Sequence, residues 1–451
     1  MYALYSLLTA AGVLLLSPYF LLRGLIRGKD LSNIPERLGW KFPAEVTGVR
    51  SGGPQGKSIW IHAVSVGEVL AVLPLARRLK QQYPGRRLIV STTTTTGQKV
   101  ARERMPFADG FFYFPLDWHG PVRRALAATR AGVVVIVETE IWPNFLRECR
   151  RAQAPVIFVN GRLSERSHRG FRRALLLSGG GLAGFLRGVL RDATLFLMQS
   201  KDDAERLIAL GAPAERVVVA GNLKYDFAEP SENNVSAWIE SEAANGTRGP
   251  VLIAGSVMAN EEDAILQAFA DVEREYPRAL LILAPRKPEQ FEHAASLISQ
   301  AGRKVVRRSK IMLNGSGSAG LSEPGSVFLL DSLGELAGLY RLADVVFVGG
   351  SLVPSGGHNI LEPAAFSKVP IYGPSMENFR AMAAQFLSAE AAMEVKSAQE
   401  LSGAWRSLLS DPTRAARMGE RARDLANRNR GATTVVLEHI ERVIGPDRGK
   451  G

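Results

Sequence analysis

Several charged side chains follow apolar segments in the first half of the chain, where polar groups are rarely needed for packing. Glu68 comes after "SIWIHAV" and a short Ser-Val-Gly turn, Glu138 and Glu140 end "VVVIVETE", and Lys224 lies in "GNLKYD". A carboxylate in such a place can act as a general base, and a lysine can neutralise a phosphate or a carboxylate. There are ordinary explanations too, since Glu68 is favourable in a first helical turn and Lys224 in a solvated turn.

A glycine-rich stretch in the second half, "GGSLVPSGGHNILEP" (349–363), joins the apolar segment "DVVFV" to a predicted helix that begins near His358. Glycine lets the backbone approach a ligand closely, and a helix N-terminus attracts phosphate. Asn359 and Glu362 are three residues apart and share a helix face, where the carboxylate can accept hydrogen bonds from ribose hydroxyls. An ordinary turn with Glu362 capping its own helix explains the stretch equally well.

Two further features come at the predicted carboxyl ends of strands in the same half. Arg286 follows "LLILAP", where its guanidinium can hold a phosphate, and Leu333, Gly334 and Glu335 follow "SVFLLD". A solvated surface residue or a helix cap would explain each feature taken singly. Together with the glycine-rich stretch, they favour a nucleotide pocket at one edge of a sheet.

The elements that must position these residues alternate regularly. Short β-branched segments are separated by longer amphipathic ones, which predicts parallel sheets covered by helices on both faces. We therefore predict an α/β fold with two Rossmann-like lobes and a ligand cleft between them. The predicted strands are 58–64, 87–93, 132–137, 154–159, 194–199 and 216–221 in the first lobe, and 251–256, 279–285, 326–331, 344–350 and 369–374 in the second.

The predicted domain boundaries follow from this alternation. Residues 1–28 form an anchor segment, 29–228 the first lobe, and 249–451 the second lobe with its C-terminal helices. The polar, acidic segment 229–248 is predicted to be a linker with a short helix around Trp238.

The first 22 residues carry no charged side chain, and Arg23, Arg27 and Lys29 follow them. About 22 helical residues reach about 33 Å, enough to cross a bilayer, although Pro18 makes a helix lying in the membrane interface equally acceptable. The positive-inside rule then keeps the body of the protein in the cytoplasm. A net charge of +12 suits an anionic partner such as a membrane surface, a nucleic acid or a phosphorylated substrate.

Several function classes are disfavoured. The single cysteine, Cys149, cannot form an internal disulfide, and the six histidines have no metal-ligand spacing, so we expect no metal site. "STTTTTGQKV" lacks the P-loop spacing. "GGGLAG" (179–184) matches a dinucleotide fingerprint but follows a poor strand, so an oxidoreductase is the least favoured class.

The motifs "SVGE", "ETEIWPN", "NGRLSERS", "GNLKYD", "PRKPE" and "GGSLVPSGGHNILEP", in this order, resemble the Kdo (3-deoxy-D-manno-octulosonic acid) transferases of Gram-negative bacteria. The resemblance covers nearly the whole chain. It implies a metal-independent inverting GT-B glycosyltransferase that needs no cofactor and moves Kdo from CMP-Kdo to a lipid A precursor, lipid IVA, in lipopolysaccharide synthesis. The implied partners are these two substrates and the anionic inner leaflet of the inner membrane, with the catalytic body on the cytoplasmic side and no nucleic acid bound.

The resemblance also implies roles for individual residues. Glu68 matches the catalytic base, and Glu138 and Lys224 match residues that stabilise the transition state. Two departures from many relatives, Lys287 and Leu333, leave the phosphate-facing arginine in place. The implied CMP pocket consists of Pro285, Arg286, Leu333, Gly334, Glu335, Gly356, Gly357, Asn359, Ile360, Leu361 and Glu362.

Two alternatives remain open at this point. Another GT-B enzyme, a UDP-sugar transferase or epimerase, would also use a glycine-rich loop and a ribose-binding glutamate. The chain could instead be a non-catalytic, membrane-anchored protein that binds nucleotide or lipid. In such a protein Glu68 and Glu138 would have no catalytic role.

Overall fold

The computed structural model describes residues 1–26, 33–48, 57–177, 180–226, 234–244, 249–311, 321 and 323–445. Two compact units make up the chain. The first consists of Met1–Phe227 and Asn429–Gly451, and the second of Ala228–Arg428.

The first unit contains a seven-stranded parallel sheet with the order β3-β2-β1-β4-β5-β6-β7. Its central strands are continuous β-branched and aromatic runs, which is typical of strands covered on both faces. The strands are β1 Ser58–His62, β2 Leu88–Thr92, β3 Gly110–Tyr113, β4 Ala131–Val137, β5 Val156–Gly161, β6 Leu195–Met198 and β7 Val217–Val219.

Alternate side chains of this sheet enter two separate apolar cores. Trp60, Ile136 and Phe158 belong to the core on one face, whereas Ile61 and Val135 belong to the core on the other. The period of two residues in a strand produces this division. The covering helices are α1 Tyr2–Ile26, α2 Ile34–Arg37, α3 Ala44–Thr47, α4 Val66–Gln82, α5 Thr95–Arg104, α6 His119–Thr129, α7 Pro143–Arg151, α8 Glu165–Leu177, α9 Gly181–Asp192, α10 Lys201–Ala209 and α19 Ala432–Ile444.

The second unit repeats this architecture, with the strand order β10-β11-β9-β8-β12-β13-β14. Its strands are β8 Val251–Val257, β9 Leu280–Pro285, β10 Val305–Arg307, β11 Val327–Leu329, β12 Val345–Val348, β13 Pro370–Tyr372 and β14 Met393–Glu394. Its helices are α11 Asn234–Ala244, α12 Glu262–Glu275, α13 Phe291–Gln300, α14 Leu336–Leu339, α15 Leu361–Ala365, α16 Arg380–Ser388, α17 Ala398–Ser410 and α18 Pro412–Arg428.

Each apolar segment predicted as a strand contains one, and the prediction of two α/β lobes is confirmed. The edge strands β3, β10 and β14, which have four, three and two residues, were not predicted. Short edge strands carry little apolar pattern to separate them from loops, whereas the three-residue edge strand β7 was predicted because it is a continuous valine segment.

The structure divides the chain differently from the predicted boundaries. Helix α19 packs in the first unit, not the second, because Val436, Leu437 and Ile440 enter the core beneath α4. The carboxylate of Asp226 accepts hydrogen bonds from the backbone N–H of Gly431, at 2.6 Å, and of Thr433. The chain therefore returns to its first unit after the second is complete.

The predicted linker 229–248 contains a packed helix. Helix α11 includes Trp238, which is 7% exposed and lies 6.0 Å from the ring of Phe328, measured between ring centroids. Residues 229–233 and 245–248 of the predicted linker lie outside the described part of the chain.

The N-terminal segment forms the predicted helix, α1. Among the described residues, no helix is long and apolar enough to cross a membrane. The spanning form of the predicted anchor is therefore not supported. Arg27 and Lys29, which follow the helix in the sequence, lie outside the described residues.

Candidate functional site

The strand order of the first sheet reverses between β1 and β4. Strand β1 has β2 as its neighbour on one side and β4 as its neighbour on the other. The two strands are in register near their carboxyl ends, where His62 lies opposite Ile136. Glu68 follows β1 and Glu138 follows β4. Ligands of open α/β sheets bind at such a reversal, so the sheet brings both predicted carboxylates to the favoured place.

Glu68 lies in the first turn of α4, in the sequence Ser65-Val66-Gly67-Glu68. One carboxylate oxygen accepts the backbone N–H of Val64 at 2.7 Å, and the other accepts the hydroxyl of Ser65 at 2.9 Å. This arrangement resembles a capping box. Glu68 is only 7% exposed, which is more buried than an open catalytic carboxylate was expected to be. Each oxygen keeps a further lone pair for a substrate hydroxyl.

The environment of Glu68 favours its neutral form. Burial raises the pKa of Glu68 to about 7, and the charges of Glu138 and Glu140 act in the same direction against the hydrogen bonds from Val64 and Ser65. Burial, followed by the charge of Glu138, also raises the pKa of Glu140. A carboxylate whose pKa lies near neutrality can take and release a proton at physiological pH.

Glu138 adopts a left-handed backbone conformation, with φ of 62°. Its N–H still donates to the carbonyl of Val159 at 2.9 Å, so β4 and β5 remain paired up to this point. A non-glycine residue in this conformation is strained, and such strain is concentrated at functional sites.

Lys224 belongs to a 3₁₀ turn over Leu223–Tyr225. Burial lowers the pKa of Lys224, whereas the charges of Glu138 and Glu68 oppose that change. The turn is held by Asn160, whose side-chain oxygen accepts the N–H of Leu223 at 3.0 Å. The structure thus brings Glu68, Glu138 and Lys224 together at one edge of one unit.

The second unit reverses its strand order between β8 and β12. At that reversal lies Glu261, a fully buried carboxylate that was not predicted. Its oxygens accept four backbone N–H groups: those of Met258 at 2.9 Å, Gly350 at 2.6 Å, Ser351 at 2.9 Å and Leu352 at 2.9 Å. Glu261 therefore fixes the beginning of the glycine-rich stretch. The rule that selected Glu68, a polar residue soon after an apolar strand, also applies to "VLIAGSVMANE".

The glycine-rich stretch differs from the prediction in where its helix begins. Helix α15 starts at Leu361 and has five residues, so the predicted start near His358 is wrong. The side-chain oxygen of Asn359 accepts the N–H of Leu361 at 3.1 Å, and this local turn delays the helix. Gly350, with φ of 69°, lies against His358, and a Cβ there would come within 2.9 Å of the imidazole ring.

Asn359 and Glu362 contact each other, although Asn359 precedes α15 and does not share a helix face with Glu362 as predicted. The amide of Asn359 donates to the carboxylate of Glu362 at 3.3 Å. Burial raises the pKa of Glu362, and the nearby charge of Arg286 opposes the change. Burial lowers the pKa of His358 to about 4, with Arg286 and Lys287 acting in the same direction. The structure therefore places Arg286 near both His358 and Glu362.

The remaining predicted residues lie on neighbouring loops of the same sheet edge. Pro285 ends β9, and the N–H of Arg286 donates to the carbonyl of Val257 at 2.8 Å. Leu333 is 58% exposed. Glu335 forms an ion pair of 2.9 Å with Arg308, which was not predicted. The charge of Arg308 compensates that of Glu335, so the pair as a whole carries no net charge.

Two other features of the described residues do not coincide with these sites. A cavity of about 400 Å³ is lined by Arg150, Arg191 and Arg216 among others. It lies at the N-terminal ends of the strands of the first sheet, whereas Glu68 lies at their C-terminal ends. No group of three or more His, Cys, Asp and Glu side chains that could hold a metal ion occurs in the described part of the chain.

Comparison with known proteins identifies relatives of the first unit and of the whole chain. The family model described as "3-Deoxy-D-manno-octulosonic-acid transferase (kdotransferase)" matches residues 32–227. The 3-deoxy-D-manno-octulosonic acid transferase of Haemophilus influenzae is 33% identical over 86% of this chain and 87% of its own length. The transferase of the same name from Bordetella pertussis is 33% identical over 88% of this chain and 90% of its own length.

A solved structure described as the S. aureus MnaA-UDP co-structure matches 88% of this chain and 99% of its own length, with a TM-score of 0.53 at 15% identity. That likeness concerns the fold alone, and with the two parallel Rossmann-like sheets it supports the predicted GT-B fold. The identity to the bacterial transferases extends over both units, so the chain is a glycosyltransferase that belongs to the 3-deoxy-D-manno-octulosonic acid (Kdo) transferase family.

Proposed function

We propose that this protein transfers Kdo from CMP-Kdo to a lipid A precursor, lipid IVA, with inversion at the anomeric carbon. The observation that carries the proposal is the position of Glu68. Its carboxylate lies beside a second carboxylate at the strand-order reversal, and burial raises its pKa to about 7. The family membership supports Kdo as the transferred sugar in lipopolysaccharide synthesis.

Glu68 acts as the general base. It removes the proton from a sugar hydroxyl of the acceptor while that oxygen attacks the anomeric carbon of Kdo. The hydrogen bonds from Val64 and Ser65 fix the orientation of the carboxylate before the substrate arrives. Positioned general bases contribute about 10²–10⁴-fold to the rate.

The displacement takes place in one step. As the new carbon–oxygen bond forms, the bond between the anomeric carbon and the phosphate oxygen breaks, and its electron pair leaves with CMP. Attack from the side opposite the leaving group inverts the anomeric carbon. Glu138 and Lys224 stabilise the charges that develop around that carbon, and the chemistry requires no metal or cofactor.

The second unit binds the CMP part of the donor. Asn359 and Glu362 bind the ribose hydroxyls, and Arg286 binds the phosphate. The position of Arg286 near Glu362 supports this assignment, since its charge opposes the effect of burial on the pKa of that carboxyl. The rest of the pocket consists of Pro285, Leu333, Gly334, Gly356, Gly357, Ile360, Leu361 and Glu335, whose charge is compensated by Arg308.

The protein lies on the inner leaflet of the inner membrane through α1. The polar side of this helix faces the body of the first unit, since the hydroxyl of Tyr2 donates to Asp192 at 2.8 Å and that of Tyr5 donates to Asp117 at 2.9 Å. Over Tyr2–Leu15, where the side chains are described, the opposite side is apolar. Its leucines are 50 to 80% exposed, namely Leu4, Leu7, Leu8, Leu14 and Leu15. A helix with an outward apolar face is typical of interfacial attachment.

Mass spectrometry of the lipid product tests the function. The full chain is incubated with CMP-Kdo and lipid IVA, and the mass increase of the lipid identifies the transferred sugar and counts the units added. An increase by one or more Kdo residues is expected. CMP-Kdo that stays unconsumed, or transfer from a UDP-sugar in its place, would refute the proposal.

A further inference from the structure

Arg162 is a basic residue next to Lys224 and Glu138 to which no role has yet been given. It directly follows β5, whose neighbour β4 ends one residue before Glu138. The hydroxyl of Thr139 forms hydrogen bonds with both backbone polar groups of Arg162. The threonine hydroxyl donates to the carbonyl of Arg162 at 2.7 Å and accepts the N–H of Arg162 at 2.9 Å. The position of Arg162 is therefore fixed to the segment that carries Glu138.

The guanidinium of Arg162 is unpaired. Within the described ranges, no carboxylate lies within 4.0 Å of it and no acceptor receives its hydrogen bonds, although the side chain is partly buried. Arg206 in the same unit contrasts with it, since its guanidinium bonds the carbonyl of Leu163 and pairs with Asp202 and Asp203. Five N–H donors without a partner at a site edge are an arrangement that suits an anionic ligand.

Arg162 also lies close enough to Lys224 for the two cations to interact. Burial and the charge of Arg162 both lower the pKa of Lys224, whereas the charge of Glu138, which has a larger effect than that of Arg162, raises it. The two cations repel each other, and an anion bound to the guanidinium of Arg162 would reduce that repulsion in addition to the effect of Glu138 on Lys224. Asn160, two residues before Arg162, holds the turn of Lys224 through Leu223 at 3.0 Å, so both cations are anchored to β5.

The chemistry of the donor sugar identifies the anion. An octulosonic acid carries its carboxylate on the anomeric carbon, which is the carbon attacked in the proposed reaction. A site that holds the anomeric carbon near Glu68 and Glu138 must therefore also bind this carboxylate. A guanidinium group matches the geometry of a carboxylate best.

We infer that Arg162, together with Lys224, forms an anion subsite that binds the carboxylate of the transferred sugar acid. This inference rests on the proposed function. Arg162 selects donors that carry an acid group on the anomeric carbon and would not contribute to the binding of CMP alone. The other source of the same chemistry is a phosphate of the acceptor lipid.

The test compares the full-length wild type with Arg162→Gln and Arg162→Lys. Calorimetry without acceptor measures affinity for CMP-Kdo and for CMP. We expect Arg162→Gln to weaken CMP-Kdo binding about tenfold and leave CMP binding unchanged, and Arg162→Lys to recover part of the loss. The rate of Kdo transfer should fall by about 100-fold in Arg162→Gln. Arg104→Ala, at an exposed arginine at the end of α5, is the matched control and should change neither quantity.

The acceptor arm uses lipid IVA and the same lipid with its phosphates removed. A defect of Arg162→Gln that disappears with the dephosphorylated lipid would assign the subsite to the acceptor phosphate and overturn the inference. Unchanged CMP-Kdo affinity, or equal loss of CMP and CMP-Kdo affinity, would overturn it as well. If the wild type transfers Kdo but Arg162→Gln transfers equally fast, only the subsite is wrong; if the wild type transfers none, the proposed function fails.

Discussion

The carboxylate of Glu261 accepts the backbone N–H of Gly350 at 2.6 Å, and so joins the end of one central strand to the beginning of the glycine-rich stretch. Ser351 and Leu352 donate to the other carboxylate oxygen at 2.9 Å each. The negative charge occupies a nest of N–H groups close to the proposed CMP pocket. The arrangement fixes the loop before any ligand arrives.

We therefore expect Glu261→Ala to weaken CMP binding by at least tenfold. The change leaves four backbone donors without this acceptor, of which those of Gly350 and Ser351 are buried, and each buried unpaired donor costs about 1–3 kcal/mol. Calorimetry with CMP measures the affinity, and thermal unfolding measures the loss of stability. Glu261→Gln keeps one acceptor oxygen and should lie between the wild type and Glu261→Ala.

Glu420→Gln, on the exposed face of α18, is the matched control in the same unit and should behave as the wild type. CMP affinity that stays normal in a folded Glu261→Ala variant would show that the loop does not depend on this carboxylate.

The pH dependence of transfer should reflect Glu68. A general base works in its deprotonated form, and burial raises the pKa of Glu68 to about 7. The rate should therefore fall about tenfold per pH unit below about pH 7. Initial rates of Kdo transfer between pH 5 and 9 measure this limb. An acidic limb centred near the ordinary glutamate value of 4.5 would contradict the assigned environment.

Stability should change with pH in the opposite direction. Because the folded state binds the Glu68 proton more tightly than the unfolded chain, the stabilisation from this group is complete below about pH 4.5 and is lost as the pH rises through about 7. Glu68→Gln should remove this contribution, so its free energy of unfolding, measured by denaturant titration, should decline less between pH 4.5 and 7. Identical slopes for the two proteins would contradict the raised pKa.

The ion pair between Arg308 and Glu335 can be tested by a double-mutant cycle. Arg308→Ala should weaken CMP binding, because it leaves the charge of Glu335 to repel the phosphate. The second change Glu335→Gln should restore most of the affinity when combined with Arg308→Ala. Losses that simply add in the double variant would show that neutralising Glu335 is not what Arg308 does.

Membrane attachment should depend on the outward leucines of α1. Replacing Leu4, Leu8 and Leu15 by serine should abolish flotation with vesicles of anionic phospholipids, while the hydrogen bonds of Tyr2 and Tyr5 keep the helix on the body. Ile208→Ser, at a 37% exposed position on α10, is the control and should float as the wild type. Undiminished flotation of the leucine variant would exclude α1 as the attachment.

The sequence predicted the place of several candidate residues at the ends of strands, and it explains why another was missed. Glu68 and Glu138 were selected as candidates because polar residues follow strongly apolar strands. Glu261 follows the same pattern but lies among several acidic residues in "NEED", which look like the first turn of an ordinary helix. Its role depends on N–H groups about 90 residues later in the chain, and no local pattern records such a contact.

The boundaries of the second unit illustrate the same limit. The charged, helical C-terminal segment was assigned to the second lobe because it follows that lobe in the chain. Its apolar residues Val436 and Ile440 instead fit the core beneath α4, and Asp226 caps the start of α19. Helical periodicity predicts an apolar face but does not identify the unit against which that face packs.

The most direct test of the account is a paired measurement on Glu68→Gln, which keeps the size of the side chain and one acceptor oxygen but cannot take a proton. The rate of Kdo transfer to lipid IVA and the affinity for CMP are measured on the same preparation. We expect transfer to fall by about 10²-fold or more while CMP affinity stays within a factor of about two. Near-normal transfer by a folded Glu68→Gln protein would contradict the account, because Glu68 would then be only a helix cap.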